Sequence, residues 1–495
     1  MNRYPKDFKL NEAIELSKES PFSDLHEECG VCGVIGTDEA AHLVYLGLTT
    51  LQHRGQESAG IVSFDGRTNR HVGMGLVADV FRKENLVTLN GNCAIGHVRY
   101  STTGSSSIIN AQPLLAGTPY GELAVAHNGN FTNAQEMRKK LEQSGSIFQT
   151  TTDTEVIMHL IAKSGEKNLI AAIRSALAKV EGAYSLLFAV KSKNKHGGEG
   201  TLIGVRDPLG FRPLVLGKLN KSWVFASETC AFDLLGASSV REVAPGEMVI
   251  IEKGKEPRSL PLTDRMPKKS AFCIFEFIYF ARPDSKIYGH SVYEIRRELG
   301  RQLAREAPAQ QVDCVIAVPD SSVVAAIGYA EESGLPFEVG FIRSHYVGRT
   351  FIEPSQHMRD FRVKMKYNPI KENLAGKSIV LIDDSIVRGT TSRKLVRMLL
   401  AAGVKEIHMR ISSPPITGPC HYGIDTPNKD ELIAAQKSIN EIRKYLGVTT
   451  LRYMSMEGLL KSAKSGNYCT GCFSGNYPTR LPARKGAKGE IALKC

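Results

Sequence analysis

Three sets of residues in this chain have types and spacing suited to chemistry. The first is Cys29, which opens the run Cys29-Gly30-Val31-Cys32-Gly33-Val34-Ile35-Gly36, whose small and apolar residues predict a strand over 31–35. A thiolate there can attack a carbonyl, provided a base takes its proton and donors await the oxyanion. The second is the acid pair Asp383-Asp384, delivered by the apolar run Ile379-Val380-Leu381-Ile382 and followed by Ser385, Arg388, Gly389, Thr390 and Thr391. The run reads as a strand buried on both faces. Beyond it Leu395, Val396, Leu399 and Leu400 recur at helical spacing up to Gly403, a candidate C-cap. A strand, a small-residue turn and a helix N-terminus together form an anion site, and the carboxylates before it suit ribose hydroxyls or hydrated Mg²⁺. The third set is four cysteines, Cys273, Cys420 and the Cys469-x-x-Cys472 pair. They can converge only through folding, and spacing alone does not separate zinc from iron–sulfur.

Other polar clusters fall at the ends of apolar segments. Gln52-His53-Arg54-Gly55-Gln56-Glu57 precedes an apolar strand at 61–62, and His97-Val98-Arg99-Tyr100 and His127-Asn128-Gly129-Asn130 each end a strand. Thr152-Asp153-Thr154-Glu155 opens a helix through Ile157, Leu160 and Ile161, with Thr152 or Asp153 as N-cap. Pro, Lys and Gly crowd residues 253–269 and mark a boundary. A βαβ alternation follows: helix 292–307, strand 314–318, helix 323–332, apolar segment 337–342 and the strand at 379–382. Asp320, Ser321 and Ser322 sit at the C-terminal end of one of these strands, where open α/β sheets bind ligands. The polar stretch 343–354 carries Tyr346, Arg349, Thr350 and Phe351 around a glycine and reads as a lid.

At 495 residues the chain is long enough for two or more domains. Apolar residues make up 42% and charged residues 23%, ordinary values for a globular protein, and no apolar run approaches a membrane span. Residues 1–28 are polar and of mixed charge, unlike a secretory signal or a transit peptide, so a cytoplasmic location is expected. Ten cysteines in such a chain point to metal or catalysis before disulfides. The net charge of +12 comes without an aromatic-basic recognition motif, so neither nucleic acid nor membrane is expected as a partner.

The clusters from Cys29 to about residue 265 resemble the glutaminase domain of class II, N-terminal-nucleophile amidotransferases. That resemblance implies removal of residues 1–28, so that Cys29 becomes the terminal nucleophile and its own α-amine the base. It gives the oxyanion hole to Asn128 and Gly129, and glutamine binding to Arg99, Asp153 and His127. Cys32 departs from the pattern, which more often has an apolar residue there; only Cys29 is followed by the family's Gly-Val-x-Gly run. The stretch around Asp383-Asp384 resembles the 5-phosphoribosyl-1-pyrophosphate (PRPP) loop of type I phosphoribosyltransferases. By this second resemblance Asp320, Ser321, Ser322, Arg349, Asp383, Asp384, Ser385, Arg388, Gly389, Thr390 and Thr391 bind PRPP, with Mg²⁺ at Ser321, Asp383 and Asp384.

Both motifs in one chain resemble the glutamine PRPP amidotransferases, and the cysteine positions their iron–sulfur subgroup. The family implies a four-layer αββα glutaminase domain over 29–265 and a doubly wound parallel-sheet phosphoribosyltransferase domain over 266–470. A C-terminal segment, 471–495, holds the last cluster cysteine and a basic tail. It further implies one [4Fe–4S] cluster per subunit at Cys273, Cys420, Cys469 and Cys472, inhibition by purine nucleotides, and a homotetramer or homodimer. The competing readings are another class II amidotransferase, which would lack the 379–391 motif, and a binding protein without catalysis.

Overall fold

The computed structural model describes residues 29–100, 106–192, 200–263, 267–344, 367–464 and 466–481. The chain divides into two compact units. Among the described residues one comprises 29–296, 418–426 and 463–481, and the other 297–417 and 427–462.

In the first unit two antiparallel sheets carry the fold. Strands β1 (Gly30–Ile35), β2 (Ser58–Phe64), β3 (Thr68–Met74), β4 (Cys93–Arg99), β5 (Leu114–Thr118), β6 (Gly121–Phe131), β7 (Gly182–Ser192), β8 (Gly200–Arg206), β9 (Val215–Leu219), β10 (Ser222–Ala226), β11 (Ser238–Glu242), β12 (Glu247–Glu252) and β13 (Arg258–Pro261) fill them. The orders are β11-β9-β10-β1-β4-β2-β3 and β13-β12-β8-β7-β6-β5. Strand alternation sorts the side chains into layers. Val31 and Ile35 of β1 point into the core between the sheets, against Ala124, Leu187 and Leu202. Cys32 and Val34 point the other way, beneath helix α1 (Ala40–Thr50). On the outer face of the second sheet, α2 (Thr154–Ala162) and α3 (Leu169–Leu177) cover Leu123, Val125, Leu186 and Phe188. Helix, sheet, sheet and helix thus make the four layers.

The linear division expected at 265/266 differs from these units. Residues 267–296, 418–426 and 463–481 belong with the sandwich because they pair with it. Cys273 N–H donates to Phe211 O at 3.1 Å and Ala271 N–H to Leu209 O at 2.7 Å. The two-residue strand Phe272–Cys273 also pairs in parallel with Tyr468–Cys469.

The second unit is an α/β sheet. Strands β14 (Cys314–Ala317), β15 (Ser378–Asp383), β16 (Glu406–Ile411) and β17 (Thr450–Tyr453) run parallel in that order. Phe337 bridges to Val315 on the far side of β14 from β15. The chain therefore reverses its winding between β14 and β15, which is the switch point where such sheets bind ligands. Helix α4 (Thr390–Ala401) follows β15, burying Leu395, Val396 and Leu399 while Leu400 is exposed. Among the described residues no helix is long and apolar enough to cross a membrane.

Candidate functional site

The sandwich sets the thiol beside one of its expected partners, Arg99, at neighbouring strand ends. The ladder pairs Gly30 with Val98, which sets Cys29 at the end of β1 beside Arg99 at the end of β4. Cys29 is buried, and its Sγ lies 3.6 Å from Tyr100 O. Burial pushes the thiol up to about 11, so at neutral pH it keeps its proton until a base removes it. Arg99 is buried with Nη1 2.8 Å from Glu57 Oε1, an ion pair that fixes its fork.

Asn128 and Gly129 lie on β6, opposite Ser185 and Tyr184 of β7. The buried Asn128 Nδ2 has no hydrogen-bond partner among the described residues. A donor left unmatched in an interior costs stability, which is the arrangement expected where an oxyanion forms during reaction. Gly129 has φ +147°, and a Cβ there would meet Ala183 O at 2.1 Å, so only glycine fits. Asn128→Ala is expected to lower kcat for glutamate release by about 10²-fold, the scale of losing one oxyanion donor. Steady-state kinetics check this; a change confined to KM would contradict it.

Asp153, at the start of α2, does not cap the helix with its side chain. Its Oδ2 instead accepts from Phe131 N–H at 2.8 Å and stands 3.7 Å from His127 Nδ1. Burial alone would raise its pKa, but the His127 imidazole and the Phe131 N–H outweigh it and hold the carboxyl below the usual range. An anionic Asp153 suits an ammonium. His127 was expected to contact glutamine. Its ring is buried, stacked on Phe131 at 4.5 Å and 3.1 Å from Thr154 Oγ1, a place from which it orients Asp153. Cys32 is fully buried under α1, with burial pushing its thiol up to about 12.

A buried ionic network stands behind Cys29 that sequence reasoning missed. Arg54 Nε donates to Cys29 O at 3.1 Å, while its Nη1 and Nη2 reach both oxygens of Glu276 at 3.0 and 2.7 Å. Glu228 Oε1 accepts from Arg54 Nη1 at 2.5 Å and from His53 Nε2 at 2.8 Å, and Ser285 Oγ donates to Oε2 at 2.6 Å. The signal was a lone acid, Glu276, inside the apolar run from Phe272 to Phe280. Burial would raise the Glu228 pKa, but His53 and Arg54 reverse this and depress it far below the carboxylate range. A depressed folded-state value contributes stability above the unfolded pKa near 4.3, lost as pH falls. Glu228→Gln is expected to destabilise the protein at pH 7 by about 3–5 kcal/mol. Urea unfolding from pH 7 down to pH 3 should show the gap between parent and variant closing below about pH 4.5; a constant gap would contradict the assignment.

In the second unit Asp383 and Asp384 are buried at the C-terminal end of β15. Ser321 Oγ donates to Asp384 Oδ2, Ser322 Oγ lies 3.3 Å from Asp383 Oδ1, and Ser385 Oγ donates to Asp384 Oδ1 at 2.6 Å. The two loops expected to bind one ligand thus meet across the switch point. Ser392 Oγ, 3.4 Å from Asp383 Oδ2, joins them although sequence reasoning passed over it. Gly389, at φ +76°, precedes α4, and the buried Thr390 Oγ1 has no partner among the described residues. Thr391 follows in the first turn of α4. Arg388 pairs with Glu431 at 2.6 Å, and Asp320 with Arg343. Tyr346, Arg349, Thr350 and Phe351 lie outside the described residues.

Cys273, Cys420, Cys469 and Cys472 line one pocket in the first unit, walled by Phe211, Phe275, Tyr422 and Tyr477. The parallel pairing sets Cys273 beside Cys469, and Tyr422 N–H donates to Cys420 Sγ at 3.3 Å. Among the described residues no group of three or more His, Cys, Asp or Glu side chains converges on a point suited to one metal ion. A four-iron cluster offers a separate iron to each cysteine, so its ligands line a pocket without meeting at its centre. The arrangement fits that group.

A family profile for the glutamine amidotransferase domain matches residues 97–233. The chain is 52% identical to amidophosphoribosyltransferase, chloroplastic, of Vigna aconitifolia, covering 92% of each chain. It is 48% identical to the amidophosphoribosyltransferase of Bacillus subtilis, covering 92% of this chain and 95% of that one. A structure of the glutamine PRPP amidotransferase from B. subtilis complexed with ADP and GMP superposes with a TM-score of 0.85 at 46% identity, covering 92% of this chain and 99% of that one. With relatives this similar over nearly their whole length, the chain belongs to the amidophosphoribosyltransferase family.

Proposed function

We propose that this protein is an amidophosphoribosyltransferase that makes 5-phosphoribosylamine, glutamate and pyrophosphate from PRPP, glutamine and water, the first committed step of purine biosynthesis. The observation that carries the reading is a buried thiol beside Arg99 and a buried acid pair held by Ser321, Ser322 and Ser385, both in one chain. After removal of residues 1–28, the α-amine of Cys29 takes the thiol proton, since a terminal amine titrates near neutrality. The thiolate attacks the glutamine carboxamide, Asn128 Nδ2 and Gly129 N–H receive the oxyanion, and the tetrahedral intermediate collapses with the Cys29 α-ammonium returning its proton to the leaving ammonia, leaving a thioester that water then hydrolyses. Arg99 grips the α-carboxylate and Asp153 the α-ammonium.

Ammonia then displaces pyrophosphate at C1 of PRPP, and it must arrive unprotonated, so passage sheltered from bulk water is part of the reading. At the second site Asp383 and Asp384 hold the ribose diol and the N-terminus of α4, with Gly389, Thr390 and Thr391, takes the 5′-phosphate. Asp320, Ser321 and Ser322 face the pyrophosphate. Mg²⁺ bound near Ser321, Asp383 and Asp384 would neutralise the leaving pyrophosphate. Purine nucleotides share the 5′-phosphoribosyl group and compete there. A cytoplasmic location and a homotetramer or homodimer complete the reading.

Cys273, Cys420, Cys469 and Cys472 would hold a [4Fe–4S] cluster, which when bound ties three chain segments together as a structural link. Anaerobically purified protein should carry close to four irons and four sulfides per chain, lost together in Cys472→Ser; zinc in their place would redirect the assignment. The activity is tested by measuring glutamate and pyrophosphate release with glutamine and Mg²⁺, with and without PRPP. The two products should rise in step and only with PRPP. Glutamate without pyrophosphate would retain the first site and remove the second.

A further inference from the structure

We propose that a buried relay, Arg54–Glu276–Arg212, couples the loop carrying Cys420 to the position of Cys29, making Glu276 and Arg212 positioning residues for the thiol. This rests on the reading of Cys29 as nucleophile. Arg54 holds the Cys29 carbonyl and both carboxylate oxygens of Glu276. Glu276 Oε1 accepts from Arg212 Nη1 at 3.4 Å, and Arg212 Nε and Nη2 donate to Tyr422 O at 3.1 and 2.8 Å. Tyr422 N–H in turn donates to Cys420 Sγ. An unbroken path of directional bonds therefore runs from the four-cysteine pocket to the main chain of the nucleophile.

The same loop touches the other half of the site. His421 O accepts from Asn130 Nδ2 at 3.0 Å, and a Cβ on Gly423 would lie 3.0 Å from Gly129 Cα. Whatever fixes Cys420 fixes Tyr422 O on one side and the backing of Gly129 on the other.

Packing alone does not explain why this path is ionic. Arg54, Arg212 and Glu276 are all buried to within 1% exposure, where apolar side chains of equal volume would stabilise as well or better. What the Arg54–Glu276 fork and the paired Arg212 donors on Tyr422 O add is fixed orientation: two-point contacts turn a shift at one end into a tilt at the other. Spatial continuity is not coupling, so the test must measure coupling itself.

The mature protein, beginning at Cys29, is purified anaerobically and treated with a diazoketone analogue of glutamine, and the rate of Cys29 alkylation is followed by intact mass with iron content in parallel. Removing iron with a chelator is expected to slow labelling at least tenfold in the parent. Glu276→Gln should slow it at least tenfold while keeping its iron, and removing iron from that variant should add less than twofold. In this variant Arg54 keeps Glu228 and Arg212 keeps Tyr422 O as partners. Should it not fold, Glu276→Asp and Arg212→Lys carry the same comparison, with intermediate rates expected. Parent-rate labelling of Glu276→Gln, or slowdowns that multiply, would overturn the relay. A parent without iron overturns the part given to the cysteine pocket. A parent that is never alkylated removes the nucleophile assignment, and the relay with it.

Discussion

Cys29→Ser is expected to abolish glutamine-dependent synthesis, by on the order of 10⁴-fold or more, the scale seen when a catalytic nucleophile is removed. The oxygen keeps the volume, so the fold survives. The Cys29 thiol, already pushed up to about 11 by burial, needs a base to react, and a hydroxyl needs one far more. Neither the second site nor its Asp383 and Asp384 depends on that sulfur, so synthesis from PRPP and added ammonium salts should continue within a few-fold of the parent. Assays with glutamine and with ammonium, run side by side at a pH near 8.5, separate the two. Equal loss of both activities would show that Cys29 is structural.

Asp384→Asn should produce the opposite pattern, with synthesis falling by about 10³-fold from either nitrogen source. Asp384 is buried and gathers Ser321 and Ser385 around its oxygens, so the asparagine fits the space but presents N–H where an acceptor is needed. Charged hydrogen bonds contribute about 1.5–3 kcal/mol each, and two lost to a ribose diol amount to roughly 3–6 kcal/mol. At about 1.4 kcal/mol per decade that is two to four orders of magnitude in kcat/KM. The first site keeps all its groups, so slow alkylation of Cys29 should persist without PRPP. Undiminished synthesis in this variant would move the substrate away from β15.

How much of this was legible depended on how local each signal was. The strand at 31–35, the helix after Gly389 and the β15 run carry their periods within a dozen residues, and the observed elements Gly30–Ile35, Thr390–Ala401 and Ser378–Asp383 lie within a residue or two of the expected bounds. The apolar segment at 337–342 formed only a bridge at Phe337 and a short strand, Phe341–Arg343. Asp153 looked like an N-cap from its place before α2, but its carboxylate serves Phe131 N–H and His127 instead. Arg54, Glu228, Glu276 and Arg212 were beyond reach as a group because their pairings span up to 222 residues, and no local pattern encodes them. The division of the chain was obscured for the same reason: β-pairing of Phe272–Cys273 with Tyr468–Cys469 joins segments far apart in sequence.

The central claim is that nitrogen released at Cys29 reaches C1 of PRPP. Its most direct test supplies glutamine labelled with ¹⁵N at the amide, PRPP and Mg²⁺, together with an excess of unlabelled ammonium near pH 7, and reads the isotope in the trapped 5-phosphoribosylamine. The product is expected to carry the amide ¹⁵N almost undiluted by the bath. Product whose label matches the bulk ammonium, or glutamate formed with no labelled product at all, would contradict it.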